Sequence, residues 1–164
     1  MDRGRDRSRI EGASRRARRR MLAALAAALL PVAQPSRAAR TLPRVEVWKS
    51  PACGCCKEWI AHLRANGFEV VAFDTGNAAA RARLGVPEAF GSCHTARVEG
   101  YVVEGHVPAA DIQRLLRERP AALGLAVPGM PIGSPGMEQG SRRDPYDVLL
   151  VLRDGTSRVY RAYR

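Results

Sequence analysis

Residues 44–48, RVEVW, alternate polar and apolar side chains, the period-2 signature of a strand with one buried face. A Pro- and Gly-containing loop follows at 49–54, and from Cys55 to Asn66 the apolar residues return at helical spacing. Cys56, Trp59, Ile60 and Leu63 share one face of that predicted helix, and Asn66-Gly67 is a suitable C-terminal stop. Residues 68–74, FEVVAFD, read as a second strand, and NAAARARLG as a short Ala-rich helix ending by Gly85. CHTARVEGYVVEGHV predicts a hairpin turning at Glu99-Gly100, and PAADIQRLLRER a helix with Pro108 in its first turn.

The order β-α-β-α-β-β-α predicts an α/β fold of thioredoxin-like type, a sheet covered by helices. The next stretch, GLAVPGMPIGSPGMEQGSRRDP, is dense in Gly and Pro and has no apolar period, so it predicts a long loop without helix or strand. YDVLLVLRDGTSRVYRAY predicts a closing hairpin with a two-residue turn at Asp154-Gly155. The expected architecture is thus a thioredoxin-like domain extended by a C-terminal Gly/Pro/Met loop and a β-hairpin. No internal repeat or second domain is evident.

A two-residue turn at Glu99-Gly100 sets the register of the first hairpin. Val98 then faces Tyr101 and Ala96 faces Val103 on an apolar side, while Arg97 faces Val102, Thr95 faces Glu104 and Cys93 faces His106 on a more polar one. A three-residue turn would pair His94 with His106 but would mix the two faces. His106 is the better ligand candidate in either register. His94 is ambiguous because strand neighbours point to opposite sides.

Charge separates the beginning of the chain from the rest. Residues 1–39 carry ten arginines against three acidic residues, so most of the formal net charge of +11 sits there. SRRARRR followed by MLAALAAALLPVA and Ser36-Arg37-Ala38 has the basic, apolar and small-x-small layout of a cleaved signal peptide. Arg18-Arg19-Arg20-Met21-Leu22 also fits a loose twin-arginine signal. The apolar run is about a dozen residues, short of the roughly 20 that span a bilayer. Residues 1–39 are therefore expected to be a cleaved export signal, with 40–164 as one periplasmic domain that is not membrane-inserted. A nucleic-acid-binding arm is disfavoured by the apolar segment behind the arginines.

Four cysteines in an oxidising compartment need an explanation. Cys53, Cys55 and Cys56 crowd the predicted start of the first helix, where unpaired backbone N–H groups favour thiolates. Thiolates attack disulfides and bind metals alike. Cys53 with Cys56 makes the C-x-x-C unit of a thiol–disulfide oxidoreductase, but Cys55 inside it invites scrambling. Such enzymes also place a cis-proline where this chain has Ser92-Cys93-His94.

For a metal the same residues are assets, since thiolate and thioether sulfur select Cu(I) and imidazole also ligates copper. Met130 and Met137, in PGMPIGSPGM, either fill gaps in the surface or lend thioether sulfur. A structural zinc site is a poorer match, because four thiols plus histidine exceed its four ligands and the spacing lacks paired C-x-x-C arms. His62 lies off the apolar helix face and is expected to be solvated.

CGCCKEW, SCHTARVEGYVVEGHVP and GLAVPGMPIGSPGM, followed by PYDVLLV, resemble the periplasmic copper-resistance proteins of the CopG type. The likeness runs from about Val45 to Val151. It implies a thioredoxin-like fold whose cysteine motif binds Cu(I), with Cys53, Cys55, Cys56 and Cys93 as ligands, His106 beside them, and Met130, Met137 and His94 as further candidates. The function expected from it is a periplasmic protein that sequesters, transfers or redox-handles copper and exchanges it with other copper-handling proteins. It would not be a conventional enzyme. The competing expectation is a thiol–disulfide oxidoreductase working through Cys53 and Cys56.

Overall fold

The computed structural model describes residues 42–164. The expected signal peptide and its cleavage point lie outside the described residues. Seven strands form one sheet in the order β2-β1-β3-β4-β5-β6-β7, where β1 is Leu42–Lys49, β2 Phe68–Phe73, β3 His94–Val98, β4 Tyr101–Glu104, β5 Gly124–Ala126, β6 Tyr146–Val151 and β7 Ser157–Tyr163. Among the described residues three α-helices connect them: α1 Gly54–Ala65, α2 Ala78–Arg83 and α3 Ala109–Glu118. A single 3₁₀ turn, Glu88–Phe90, precedes β3.

The first half follows the pattern of its sequence. β1 lies parallel to β2 and antiparallel to β3, which is antiparallel to β4. Glu99 and Gly100 both take left-handed φ, so the hairpin has the two-residue turn whose twist matches its strands. Its register is Val98↔Tyr101, Arg97↔Val102, Ala96↔Val103 and Thr95↔Glu104, as the apolar alternation requires. Cys56, Trp59, Ile60 and Leu63 on α1 are all buried, and the last three share one core with Val45, Val47, Ala96, Val98 and Val103 from the sheet and Ile112 and Leu115 from α3. Burying each such side chain contributes about 1.5–3 kcal/mol.

The second half departs from expectation in two places. The Gly/Pro-rich stretch is not all loop: Gly124–Ala126 forms β5, parallel to β4 and antiparallel to β6. Three residues are too few to show a period, and Gly124 is required because a Cβ there would sit 1.8 Å from the Val102 carbonyl oxygen. This strand joins the terminal hairpin to the main sheet. That hairpin turns through three residues rather than two, since Leu152 N–H donates to Thr156 O with Arg153, Asp154 and Gly155 between them and Gly155 at φ +84°.

Candidate metal centre

The loop between β1 and α1 delivers the first three sulfurs. Cys53 is the N-cap of α1, its sulfur accepting from Cys56 N–H at 3.3 Å. Cys53 and Cys56 are joined as a disulfide with Cα atoms 5.4 Å apart, while Cys55 and Cys93 are free thiols. Buried Lys49 at the end of β1 donates to Ser50 O at 3.2 Å and pairs with Asp74, which fixes the root of this loop.

Cys93 arrives from the other side, one residue ahead of β3. Its sulfur lies 3.5 Å from Cys56 Sγ and 3.8 Å from Cys55 Sγ, and Cys55 Sγ is 3.5 Å from Cys53 Sγ. It also lies 3.1 Å from His106 Nε2 and 3.4 Å from His94 Nδ1. Two groups of donor atoms result, one of Cys53, Cys55, Cys56 and Cys93 and the other of Cys93, His94 and His106, each with its donor atoms within 4.8 Å of one another. Cys93 belongs to both.

The Cys93–His106 meeting is not a ladder pair. The register ends at Thr95↔Glu104, and Gly105 at φ +72° then turns the chain and redirects His106. Nor is the polar side of the hairpin open to water: Thr95, Glu104 and His106 are all fully buried. His106 Nδ1 is 2.8 Å from Pro135 O, a bond that leaves Nε2 as the nitrogen turned to Cys93. His94 packs against Trp59 with ring centroids 4.2 Å apart and meets His106 edge-on at 5.0 Å. Its Nε2 is buried with no hydrogen-bond partner.

Burial, then the neighbouring Cys55, pushes the Cys93 thiol up to about 12. Burial, then His106, pulls His94 down to about 3, and burial lowers His106 as well. Both imidazoles are therefore neutral at pH 7, the form that ligates metals. A cation seated among these groups would supply the positive charge that lets Cys93 ionise. The donor set is soft and nitrogen-containing, which fits copper.

Each methionine follows a glycine that anchors the Gly/Pro-rich segment beside the cysteines. Gly129 N–H donates to Gly91 O, and Gly129 O accepts from the Ser92 hydroxyl. Gly136 lies so close to α1 that a Cβ would be 2.7 Å from Cys55 O and Trp59 N. Met130, next to the first anchor, is 51% exposed, and Met137, next to the second, is half-buried. His62 is not merely solvated as expected, because its Nε2 accepts from Ala109 N–H at 3.1 Å at the start of α3.

The polar groups that hold the candidate ligands carry little signal in the sequence. Glu104 accepts from Thr95, Arg81 and the Ser92 backbone, and the only signal of this was the predicted Thr95–Glu104 pairing. Trp59 was placed in the core, but not as the ring beneath His94. The Pro135 carbonyl carried no signal, since any residue there has one.

The family model described as "Protein of unknown function, DUF411" matches residues 90–137. No curated protein matches the chain. Two solved structures do. "Copper resistance protein copG- Form 2" is 51% identical, with 75% of this chain and 99% of that one covered and a TM-score of 0.71. "Copper resistance protein copG- Form 1" is also 51% identical, covering 74% of this chain and 98% of that one with a TM-score of 0.71.

Proposed function

Since the chain belongs to the CopG-type copper-resistance family, we propose that it sequesters Cu(I) in the periplasm and passes it to other copper-handling proteins there. The observation that carries this reading is the convergence of Cys93, from the start of β3, on the cysteines of α1 and on two neutral buried imidazoles. With Cys53–Cys56 reduced by a dithiol, four thiolates and two ring nitrogens are available as ligands. In this reading Met130 and Met137, each following a glycine packed against the segments that carry the cysteines, are the thioether donors for metal arriving or leaving. The thiolate group favours Cu(I), and the Cys93–His94–His106 group supplies the nitrogen that Cu(II) prefers, so the site suits copper in either state.

Export fits this role, with residues 1–39 as a cleaved signal. Among the described residues no helix is long and apolar enough to cross a membrane. The sheet order β2-β1-β3-β4, with α1 following a cysteine motif at the end of β1, supports the thioredoxin-like assignment.

The test is competition between the reduced protein and a colorimetric Cu(I) chelator, with the Cys53/Cys55/Cys56/Cys93→Ser variant as control. Wild type should strip Cu(I) from the chelator and the variant should not. Failure of the wild type to compete would refute the proposal.

The Cys53–Cys56 disulfide at the helix N-cap favours a second reading, a thiol–disulfide oxidoreductase. Two further thiols within 3.8 Å of that disulfide weigh against it, because they would scramble a mixed disulfide with substrate. Metal-free protein that reduced insulin at catalytic rates would establish this reading instead.

A further inference from the structure

We infer that the ion pair of buried Glu104 with half-buried Arg81 is a positioning device for Cys93, acting through the backbone of Ser92. This rests on the copper reading above. Ser92 belongs to no strand, so no ladder fixes its peptide groups. Its N–H donates instead to Glu104 Oε1 at 2.8 Å, and its carbonyl accepts from the Arg81 guanidinium and from Asn77 Nδ2 at 3.1 Å. Its hydroxyl donates to Gly129 O. Arg81 Nε donates to the same Glu104 Oε1 at 3.0 Å, and the Thr95 hydroxyl occupies Oε2 at 2.6 Å.

Both carboxylate oxygens are therefore used, and Glu104 is fully buried. Burying a carboxylate is costly even with a cationic partner, and an apolar side chain of similar volume would stabilise a core at least as well. What apolar side chains cannot do is hold the N–H and C=O of an irregular segment in one place. Glu104 is placed to do this for both arms of the site. It grips the residue before Cys93, and as the last residue of β4 it stands two positions before His106.

The benefit falls on Cys93 because its sulfur is the atom common to both donor groups, with neighbours at 3.1–3.8 Å on each side. Ligands need to be held within about 0.5 Å of their productive places, a precision that a free loop does not provide. Glu104 and Arg81 touch no metal in this scheme; they set where the sulfur stands.

The experiment compares wild type, Glu104→Gln and Tyr163→Phe. The first substitution keeps the size of the side chain but loses the charge that holds Arg81 and the Ser92 N–H together. The second removes the hydroxyl that donates to buried Asp111 and leaves every bond of Ser92, Glu104 and Arg81 in place. For each protein, Cu(I) affinity is read by chelator competition, sulfur ligands per copper by X-ray absorption, and stability by thermal unfolding of the metal-free form. Glu104→Gln should weaken Cu(I) binding about 10–100-fold and lower the sulfur count. Tyr163→Phe should lose stability with affinity and sulfur count unchanged.

Wild-type affinity and sulfur count in Glu104→Gln would overturn the inference, as would equal affinity losses in both variants, which would mark a general destabilisation. A wild type that bound no copper would instead sink the reading on which the inference rests. Should Glu104→Gln fail to fold, Asn77→Ala takes its place, since it removes the bond to the Ser92 carbonyl and, beside it, only a 3.4 Å contact with the Thr95 hydroxyl. It should lower affinity in the same direction by a smaller factor, and an unchanged affinity there would overturn the inference.

Discussion

Replacing Gly105 by alanine tests the turn that brings His106 to Cys93. Gly105 has φ +72°, and a Cβ on it would lie 2.5 Å from both Ser92 Oγ and Val127 O. Left-handed backbone costs an L-residue about 1–2 kcal/mol. The clash adds about 1–3 kcal/mol, because one neighbour is a backbone carbonyl and the other a hydroxyl already engaged with Gly129. The total for Gly105→Ala is about 2–5 kcal/mol. Gly85 is a matched control, with the same φ of +72° and nothing within 4 Å of where its Cβ would stand. Gly85→Ala should therefore cost only the backbone part, about 1–2 kcal/mol. In urea unfolding of the metal-free protein, a slope of about 2 kcal/mol/M converts these into midpoint shifts of about 1–2.5 M and about 0.5–1 M. Gly105→Ala should also weaken Cu(I) binding, whereas Gly85→Ala should not. Equal midpoint shifts for the two variants would refute the close packing of Gly105 against Ser92 and Val127.

His62 gives a pH-dependent prediction. Burial lowers its pKa below 6.5, so the folded state binds fewer protons than the unfolded one and stability from this group is present above about pH 6.5 and lost as pH falls below it. His62→Gln should make the decline in stability between pH 7 and 5 shallower, as read by urea midpoints; parallel wild-type and variant curves would contradict the role. Tyr163 donates to Asp111 Oδ2 at 2.7 Å, and Asp111 is fully buried. Tyr163→Phe leaves that oxygen without its donor and should destabilise by about 1–3 kcal/mol in thermal unfolding. Leu63→Ala opens the core beneath α1 and should cost about 2–5 kcal/mol in the same assay, with the cysteine cluster still able to take up Cu(I) because Leu63 lies more than a turn further along the helix.

Local pattern was enough for β1 to β4, α1 and α3. The strand alternation and the 3.6-residue period each extend over several residues, and the Glu99-Gly100 turn leaves one register that keeps the apolar face together. The same register pointed to Cys93 and His106 as neighbours. β5 could not be read, because three residues hold no period and its partners on β4 and β6 are distant in the chain. Its identity as a strand comes from the backbone groups those neighbours present.

The residue types of the candidate metal centre are written in the sequence: thiols crowded at a helix start, a fourth cysteine, and histidines beside it. Their meeting is decided by tertiary structure. Gly105 turns His106 inward, Pro135 selects its free nitrogen, and Glu104 with Arg81 fixes the segment that carries Cys93. Sequence periodicity reports which face of an element is apolar. It carries no information on where an irregular segment places its peptide groups, which depends on partners from elsewhere in the fold.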